Sequence, residues 1–373
     1  MLERTNQISR VLQESGIDVA LITSKAGVFY FSGVYAEPHE RVMAVIVDAD
    51  GKRALFCPAL EANIVSASPW DGEVVTYADH EHPFDKINQV LETFAVSNNR
   101  IGIEGEHMTF SRFKELESRQ ENAAILDIGQ QLQALRLKKD SQEINIMREA
   151  ADLADQAIEI GKQAIRPGVT EMEVIAEIEF EMKKKGVREM SFDTLVLFGA
   201  NSADPHGVPG DRVIEEGDFV LFDLGVVWKG YCSDITRTFV YGEASDEQRK
   251  IYSTVLTALE AATEASRVGV TLGTLDKAAR DVIETAGYGE YFTHRVGHGL
   301  GIDVHEFPSL ASNNLLTAEA GIVYTLEPGI YVPNVGGVRI EDDIHLTENG
   351  PEALNQSPKH LQSLPSQSVP FRK

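Results

Sequence analysis

The sequence predicts an α+β protein of two domains, in which a smaller α/β domain precedes a larger domain built from two copies of one unit. Three observations support this prediction. A chain of 373 residues is too long for one ordinary core. Strand-like and helix-like patterns alternate up to about residue 130. Beyond that residue, helical patterns are followed by paired strand patterns twice, at a nearly constant spacing.

The first domain, residues 1–130, is predicted to be a small α/β domain. Its strand candidates are apolar runs bounded by turn residues, namely Val19–Thr23, Met43–Cys57 and Arg100–Gly105. Asp50-Gly51 inside the second run is a hairpin signal. These residues contain no evident catalytic constellation, so the sequence favours a scaffold or oligomerisation role for this domain.

The second domain, residues 131–355, opens with a long amphipathic helical pattern. Asp140 followed by Glu143 matches a capping box, and Pro167-Gly168 ends the helical run. The residues that follow this domain, 356–373, are rich in proline, serine and glutamine. Such a composition predicts a flexible tail.

A faint internal repeat runs through the second domain. Arg166–Thr170 recurs as Arg267–Thr271, and each copy is preceded by a long helical pattern and followed by a shorter helix that ends on a glycine. Two further matches are Pro205–Pro209 with Val304–Pro308 and Glu215–Gly225 with Ala318–Gly329. With the two helix-ending glycines, Gly186 and Gly287, these make four matches in the same order, which argues against chance. Each copy therefore delivers one histidine and one acidic hairpin.

The first acidic hairpin contains Asp223 and Asp234. Its two strand patterns meet at a turn near Trp228, Lys229 and Gly230. Folding that is symmetric about the midpoint of Trp228 and Lys229 places Asp223 opposite Asp234, and a bulge would make the pair diagonal.

The second acidic hairpin contains Glu327 and Glu341. Symmetry about Asn334 places these two glutamates opposite each other. Cβ atoms of directly opposed residues lie about 4.5–5.5 Å apart, and like charges at that distance destabilise a sheet. Two such pairs in corresponding positions of a repeat predict bound cations.

His298 completes this set. Three glycines at alternate positions from 297 to 301 would each cost about 1 kcal/mol in a helix, so a glycine-rich loop is predicted here. A lone histidine is usually a structural residue. Beside four convergent carboxylates, a ligand role for His298 is favoured instead.

Four carboxylates and one imidazole, without a thiolate, form a hard and oxygen-rich ligand set. This set favours Mn²⁺, leaves Co²⁺, Fe²⁺ and Zn²⁺ open, and argues against a structural zinc site. Two ions bridged by carboxylates would lie about 3.5–4 Å apart and share a water whose pKa is lowered towards neutrality. The sequence thus predicts two divalent metal ions per chain and hydrolysis of an amide or ester bond by a bridging hydroxide.

Bulk properties exclude several classes of partner. A formal net charge of −24 without a basic stripe argues against nucleic acid. The chain has no run of about 18 apolar residues, so no membrane span is expected. The polar N-terminus lacks the apolar stretch of a signal peptide, and two isolated cysteines suit a reducing compartment. A cytoplasmic location is the expectation.

At these residues the chain resembles the pita-bread metallopeptidases, which include methionine aminopeptidases, aminopeptidase P and prolidases, and the related non-metal enzyme creatinase. The resemblance covers essentially the whole chain and rests on DLGVVWKGYCSDITRT, GHGLGIDVHEFP, LEPGIY and GGVRIED. It implies a pita-bread fold for residues 131–355 and a creatinase-like fold for residues 1–130. Methionine aminopeptidases usually lack such an N-terminal domain, and creatinase has lost the metal ligands.

The resemblance implies a role for each matching residue. Asp223 is expected to chelate one ion, whereas Asp234 and Glu341 bridge both ions. His298 and Glu327 are expected to bind the second ion. Glu327 is also placed to accept a proton from the bridging water as general base.

Three further residues receive catalytic roles from the resemblance alone. His206 and His305 are expected to donate to the scissile carbonyl or to the tetrahedral oxyanion. Arg339 lies two residues before Glu341, on the same strand face, and is expected to hold a substrate carboxylate.

Among the family, the chain looks most like a bacterial Xaa-Pro dipeptidase, because of its compact length and the segment Tyr30–Val42. This implies small peptide substrates with proline in second position, and a homodimer. Aminopeptidase P shares every motif quoted and is the alternative. A non-catalytic binding protein on the same fold is a third reading, disfavoured because such proteins typically lose ligands.

Some neighbouring residues remain outside the predicted ligand set. Cys232 is predicted to be a packing residue. For His294, a position behind the ligands and a purely structural role are about equally supported. Asp342 should point to the opposite strand face from Glu341, towards solvent or a salt bridge.

Overall fold

The structure is a computed structural model that describes residues 2–94 and 99–366. The chain divides into two compact units, Met1–Arg136 and Leu137–Lys373. The boundary predicted from the sequence, at residue 130, lies inside the helix Gly129–Leu137.

The first unit is a mixed sheet with helices. Its helices are α1 (Leu2–Ser15), α2 (Lys25–Ser32), α3 (Ala62–Ser66), α4 (Pro83–Glu92), α5 (Phe110–Arg119) and α6 (Gly129–Leu137), with a 3₁₀ turn at Ala59–Glu61. Its strands are β1 (Val19–Ile22), β2 (Ala44–Asp48), β3 (Arg53–Pro58), β4 (Glu73–Tyr77), β5 (Arg100–Ile103) and β6 (Ala124–Asp127). They form one sheet in the order β4-β3-β2-β1-β5-β6.

The sheet of the first unit has buried apolar strands, and one of its turns was predicted from the sequence. The β2–β3 hairpin turns at Gly51, whose φ of 91° lies in the left-handed region that favours glycine. Ile46 and Phe56 on these strands are fully buried and share a core with Ile87 of α4 and Leu116 of α5. The first unit is therefore an α/β unit, as the sequence predicts.

The second unit contains two pairs of helices and a larger set of strands. The helices are α7 (Ser141–Ala164), α8 (Glu171–Lys184), α9 (Asp246–Ala265) and α10 (Leu272–Thr285), with 3₁₀ turns at Gly199–Ala203 and Gly289–Tyr291. The strands of the first half are β7 (Glu189–Met190), β8 (Leu195–Phe198), β9 (Phe219–Leu224), β10 (Val226–Trp228), β11 (Tyr231–Cys232) and β12 (Ile235–Tyr241). Those of the second half are β13 (His298–Gly299), β14 (Glu306–Ser309), β15 (Val323–Leu326), β16 (Gly329–Val332), β17 (Gly336–Arg339), β18 (Asp342–Thr347), β19 (Gly350–Ala353) and β20 (Ser363–Leu364).

The predicted repeat is present in the second unit. α7 and α8 precede the sheet β20-β12-β9-β8, and α9 and α10 precede the sheet β14-β13-β15-β18-β19. The start of each shorter helix is tied to the following loop in the same way, since Thr170 bridges Val213 and Thr271 bridges Thr317. Each copy thus packs two helices beside one acidic hairpin.

Local sequence signals set the helix ends. Asp140 and Glu143 form the predicted capping box at the start of α7, in which each side chain accepts a backbone N–H of the other residue. The shorter helices α8 and α10 are followed by Gly186 and Gly287, with φ of 91° and 87°. Glycine adopts this left-handed conformation without strain, so both helices stop at equivalent positions.

Within residues 137–366, each copy contributes most of the side chains of one apolar core. In the first core, Phe222 and Phe239 pack edge to face at 5.7 Å between ring centroids, against Ile178 of α8. In the second core, Leu275 of α10 packs with Tyr324 of β15, and both are fully buried. These cores pack against the strands that carry the acidic residues at or next to their ends.

Residues 356–366 follow the main sheets of the second unit and include the short strand β20. Ser363 and Leu364 pair in parallel with Val240 and Tyr241, and Leu364 is buried. The prediction of a flexible tail from residue 356 is therefore wrong for residues 356–366, because backbone pairing and an apolar anchor hold them. The part of that prediction that concerns residues 367–373 lies outside the described residues.

None of the helices within residues 2–94 and 99–366 combines the length and the apolar character that crossing a lipid bilayer requires.

Candidate metal centre

The first acidic hairpin turns at a two-residue loop. Trp228 pairs with Tyr231, and the residues between them, Lys229 and Gly230, have φ of 50° and 87°. A turn with two positive φ angles matches the twist of the flanking strands. The centre of the hairpin therefore lies between Lys229 and Gly230, one residue later than predicted.

This shift changes the partner of Asp223. Asp223 pairs with Thr236 across β9 and β12, and not with Asp234. Direct opposition of the two aspartates is therefore wrong, and the diagonal arrangement is confirmed. Diagonal neighbours lie about 7–8 Å apart at their Cα atoms, which still allows both carboxylates to approach one ion.

The second acidic hairpin has the predicted register. The pairs on either side of the two glutamates are Leu326 with Asp342 and Gly329 with Arg339. Glu327 and Glu341 occupy the opposed positions between these pairs, so their predicted opposition is confirmed. The loop contains Asn334 with φ of 66°, a conformation that asparagine tolerates better than most residues.

His298 presents one ring nitrogen to the carboxylates. It lies in the short strand β13, only 3% exposed, and its backbone N–H donates to Thr325 Oγ1 at 3.2 Å. Its Nδ1 lies 3.1 Å from the carbonyl oxygen of Gly299 and donates to it. Its Nε2 is therefore the lone-pair nitrogen, and it lies 3.5 Å from Glu327 Oε1 and 3.7 Å from Asp234 Oδ2.

The five residues predicted as metal ligands line one cavity of about 500 Å³. Among the described residues, Asp234, His298 and Glu341 offer ligand atoms that all lie within 4.8 Å of one another. Glu327 adjoins this group through His298. Asp223 lines the same cavity, and its Oδ2 accepts a hydrogen bond from Arg339.

Two carboxylate oxygens at the centre of this cluster have no hydrogen-bond partner within the described part of the chain. They are Asp234 Oδ1 and Glu341 Oε1, and both atoms are buried. The other oxygen of Glu341 accepts from Thr236 Oγ1 at 2.7 Å. Buried carboxylate oxygens without a partner are costly unless a cation binds them. These residues therefore fit a divalent metal ion.

The electrostatics of the ion-free cluster agree with that assignment. Burial, and then the charge of Glu341, raise the pKa of Asp234 well above its usual value. Burial, and then the charge of Glu327, do the same to the pKa of Glu341. Carboxylates crowded in this way cannot all ionise alone, so a cation is needed to hold the cluster in its charged form.

The pKa values of Glu327 and His298 are also shifted from their ordinary values. Burial raises the pKa of Glu327 to about 7, although the charge of Arg339 opposes this rise. Burial, and then the neighbouring His305, lower the pKa of His298 to about 3. His298 is therefore neutral at ordinary pH, which is the form that binds a metal.

The buried side chain of Arg339 makes three hydrogen bonds to other side chains of the protein. It is 4% exposed, and its Nε donates to Thr236 Oγ1 at 3.0 Å and its Nη1 to Tyr331 OH at 2.7 Å. Its Nη2 donates to Asp223 Oδ2 in a close ion pair. These three hydrogen bonds use three of the five N–H donors of the guanidinium, and Arg339 also lines the cavity, so its expected contact with a substrate carboxylate stays a prediction.

Thr236 and Tyr331 were missed by the sequence reasoning. Thr236 bonds both Glu341 and Arg339, and the Tyr331 hydroxyl lies 2.9 Å from His294 Nε2. Strand alternation gave a signal for Thr236, which lies two residues after Asp234 and so on the same strand face. His294 contacts Tyr331 and also lines the cavity, so its position behind the ligands stays a prediction.

The two repeat-related histidines line the cavity without joining the ligand cluster. The His305 ring packs edge to face on the His298 ring at 4.3 Å between centroids. His206 lines the cavity from the equivalent loop of the first copy, next to Pro205. Both positions are compatible with the predicted contact to a substrate carbonyl.

A buried ion pair supports the ligand strands. Arg237 Nη2 lies 2.7 Å from Asp342 Oδ1, and the two side chains are 1% and 2% exposed. Arg237 also donates to the backbone oxygens of Thr236 and Glu341. The prediction of a salt bridge for Asp342 is confirmed, but its alternative, exposure to solvent, is wrong.

Four other cavity residues had no signal in the sequence. They are Phe192, Asp193, Leu195 and Arg295. Their spacing from the ligands along the chain is irregular, so only the fold brings them to the cavity.

A duplicated helix–helix–hairpin unit around a buried cluster of carboxylates and histidine defines the class of pita-bread metallopeptidases. The chain belongs to metallopeptidase family M24, whose family model matches residues 145–348. Residues 4–138 match the creatinase/prolidase N-terminal domain. The resemblance noted from the motifs and the predicted fold class are thereby confirmed.

Individual relatives are similar over nearly the whole chain. "Putative dipeptidase YkvY" of Bacillus subtilis (strain 168) is 48% identical over 96% of this chain and 99% of that protein. The solved structure of an Xaa-Pro dipeptidase from Bacillus anthracis is 37% identical, with a TM-score of 0.90 over 97% of this chain and 99% of that one. An X-Pro aminopeptidase from Thermotoga maritima MSB8 is 33% identical, with a TM-score of 0.85 over 93% of this chain and 98% of that one.

Proposed function

We propose that this metallopeptidase is a dipeptidase that hydrolyses the Xaa-Pro bond of dipeptides with two divalent metal ions, Mn²⁺ being the favoured ion. The observation that carries the proposal is the pair of buried carboxylate oxygens, Asp234 Oδ1 and Glu341 Oε1, that lack a partner in the described structure. The carboxylates of Asp234 and Glu341 each have an oxygen within 4.8 Å of a ring nitrogen of His298. This donor set favours a hard divalent cation.

The residues that would hold the metal are the five predicted ligands, Asp223, Asp234, His298, Glu327 and Glu341. When bound, the metal supplies a water activated for attack on the peptide carbonyl. Glu327 then accepts the proton that the attacking water loses and returns it to the leaving nitrogen. Without the metal, burial raises the pKa of Glu327 to about 7. A bound cation would favour the ionised carboxylate, which is the form that accepts a proton.

Three side chains complete the proposed mechanism. His206 and His305 line the cavity and donate hydrogen bonds to the carbonyl oxygen as it becomes negative. Arg339 acts through Asp223, whose carboxylate it holds and orients. Arg339 is therefore proposed as a positioning residue, and its expected contact with a substrate carboxylate stays a prediction.

The substrate class rests on the relatives and on the cavity. The Bacillus anthracis relative is an Xaa-Pro dipeptidase, and the Bacillus subtilis relative carries a dipeptidase name. A cavity of about 500 Å³ lies within the range of about 300–1,000 Å³ that is typical of small-molecule sites. The homodimer and the cytoplasmic location remain part of the proposal, and sedimentation of the purified protein tests the first.

The alternative is an aminopeptidase that releases the first residue of longer Xaa-Pro peptides, which the Thermotoga maritima relative supports. The deciding experiment is a paired assay of Ala-Pro and Ala-Pro-Ala after chelation and reconstitution with Mn²⁺. Faster hydrolysis of Ala-Pro supports the dipeptidase, and faster hydrolysis of the tripeptide supports the aminopeptidase. Full activity in the chelated sample contradicts both.

A non-catalytic binding protein is separated from both enzymes by elemental analysis. About two metal ions per chain, together with turnover, support the enzyme. Absence of metal and of turnover on either peptide supports the binding protein.

A further inference from the structure

The first copy of the repeat contains a buried carboxylate that the proposed mechanism does not use. Glu171 is the first residue of α8, directly after the N-cap Thr170, and it is fully buried. Its Oε1 accepts the backbone N–H of Phe198 at 2.8 Å, and its Oε2 accepts that of Gly210 at 2.8 Å. Asn201 Nδ2 donates to both oxygens, at 3.0 and 3.2 Å. A buried carboxylate is costly unless it is hydrogen-bonded, so Glu171 fixes the chain positions that donate to it.

Two of these chain positions bracket the loop that carries His206, which is termed the His206 loop and comprises residues 199–210. Hydrogen bonds lead from Glu171 to His206 inside this loop. Asn201, whose side chain donates to Glu171, accepts the backbone N–H of Asp204 with its carbonyl oxygen at 3.2 Å. Asp204 Oδ1 in turn accepts the backbone N–H of His206 at 3.0 Å. The backbone of His206 is therefore connected to the carboxylate of Glu171 by a continuous series of hydrogen bonds.

Close packing transmits the position of the His206 loop to His206 itself. A Cβ atom placed on Gly207, the next residue, would lie 3.0 Å from the carbonyl oxygen of Asn201. Ser202, which is fully buried, accepts the backbone N–H of Gly337 in β17 at 2.8 Å. The loop is therefore packed on itself and bonded to the second copy of the repeat. A shift of Asn201 would displace the backbone next to His206.

The second copy shows that the start of the shorter helix does not require a carboxylate. Leu272, the first residue of α10, occupies the equivalent position and is fully buried. Its backbone N–H donates to the carbonyl oxygen of Leu316 at 2.9 Å, and the backbone N–H of Glu171 donates to that of Arg212 at 3.2 Å. The same helix start thus forms around an apolar side chain. The contacts of the Glu171 carboxylate therefore indicate a role in the His206 loop and not in the helix.

Resting on the proposed function, we propose that Glu171 is a positioning residue that holds the His206 loop, so that His206 donates to the carbonyl oxygen of the substrate. His206 lines the cavity and Glu171 does not, so Glu171 acts through the loop and makes no contact with the substrate. A donor stabilises a developing oxyanion when it lies about 2.7–3.1 Å from that oxygen. Small displacements of the loop therefore reduce the rate of the chemical step more than they weaken substrate binding.

The test is a double-mutant cycle on hydrolysis of Ala-Pro by the protein loaded with Mn²⁺. Glu171→Gln keeps the size of the side chain but replaces one acceptor oxygen with a donor. It should lower kcat on the order of 10–100-fold and change KM by less than about threefold. His206→Ala should lower kcat by about 10²–10³-fold. Adding Glu171→Gln to His206→Ala should lower kcat by less than about twofold more, because Glu171 acts through His206.

Glu173→Gln is the matched control, because Glu173 lies on the same helix, is exposed and contacts Thr170 outside the His206 loop. It removes the same charge and should leave kcat unchanged. Losses that multiply in the double variant would overturn the proposal, since a general effect on the fold lowers activity whether or not His206 is present. Activity of Glu171→Gln within about twofold of wild type would overturn it as well.

A second variant covers the case in which Glu171→Gln does not fold. Asn201→Ala removes one donor to Glu171 and leaves both backbone contacts of the carboxylate in place. Alone it should lower kcat by about 3–10-fold, and in the His206→Ala protein by less than about twofold. Losses that multiply here would count against the proposal in the same way.

Failure of the proposed function is recognised separately. If the wild-type protein loaded with Mn²⁺ hydrolyses neither Ala-Pro nor Ala-Pro-Ala, the proposed enzyme is wrong, and amide hydrogen exchange then tests the role of Glu171 in the loop. The backbone amides of His206 and Gly207 should exchange at least about tenfold faster in Glu171→Gln than in wild type, and Glu173→Gln should not change them. Equal exchange in wild type and Glu171→Gln would contradict the positioning role.

Discussion

The guanidinium of Arg339 and the carboxylate of Asp223 form a buried ion pair that joins the acidic hairpins of the two copies. Asp223 belongs to β9 of the first copy, and Arg339 to β17 of the second. Thr236 makes a parallel link, because its hydroxyl bonds both Arg339 and Glu341. The carboxylates proposed as metal ligands are thus connected to one another by protein contacts as well as by any ion they would share.

The first prediction concerns this ion pair. Arg339→Gln should lower the free energy of unfolding of the chelated protein by about 3 kcal/mol, because it leaves a buried carboxylate without its charge partner. The variant should also retain less metal after dialysis, since Asp223 loses the contact that orients it. Urea denaturation and elemental analysis measure the two effects. An unchanged unfolding midpoint with full metal content would show that Asp223 is positioned without Arg339.

The second prediction concerns the proposed general base. Glu327→Gln keeps the shape of the side chain but cannot take up a proton, so kcat on Ala-Pro should fall by about 10²–10⁴-fold. Glu352→Gln serves as control, because Glu352 is partly exposed, pairs with Arg148 and lies outside the cavity lining. Steady-state kinetics at saturating Mn²⁺ measure kcat for both variants. Activity of Glu327→Gln within tenfold of wild type would remove Glu327 from this role.

The third prediction is the pH dependence of stability without metal. Burial raises the pKa of Glu327 to about 7 from an ordinary value near 4.5, so the folded state holds this proton more tightly than the unfolded chain does. The resulting stabilisation is complete below about pH 4.5 and is lost as pH rises through about 7, by up to about 3 kcal/mol. Asp234 and Glu341 shift in the same direction.

Melting curves between pH 5 and 8 test this. In the presence of chelator, the melting temperature should fall as pH rises, and the fall should be smaller for Glu327→Gln. Mn²⁺ should reverse the trend, because the ion binds the ionised carboxylates and displaces their protons. A chelated protein whose melting temperature rises between pH 5 and 8 would contradict the shift.

The hairpins show how far the sequence could predict the site. Symmetry about the turn was enough to place Glu327 opposite Glu341, because the loop around Asn334 is symmetric in the structure. The same rule failed by two residues for Asp223, because the positive φ angles of Lys229 and Gly230 move the turn. Turn type depends on the conformation of two residues, which the pattern of strands does not reveal.

Other features that the sequence did not predict depend on contacts between segments that are distant in the chain. Arg237 is fully buried although arginine usually lies at the surface. It reaches Asp342 because β12 lies beside the start of β18, where the backbone N–H of Glu341 donates to the carbonyl oxygen of Thr236. Which donors of Arg339 are occupied depends on Tyr331, which comes from a neighbouring strand. Leu364 gave no strand signal of its own, yet it adds to the edge of an existing sheet.

The fourth prediction concerns the approach of two backbones beneath His298. A Cβ atom placed on Gly297 would lie 1.9 Å from the carbonyl oxygen of Thr325, so Gly297→Ala must displace the strand that carries His298. Gly210 offers the control, because a Cβ there meets nothing within 4 Å and its φ is not positive. Gly297→Ala should cost about 1–3 kcal/mol of stability and reduce Mn²⁺ affinity, whereas Gly210→Ala should change neither. Denaturation and metal titration of both variants measure this. Wild-type metal affinity in a folded Gly297→Ala protein would mean that His298 reaches the ion from more than one backbone position, and the ligand assignment would then rest on the carboxylates alone.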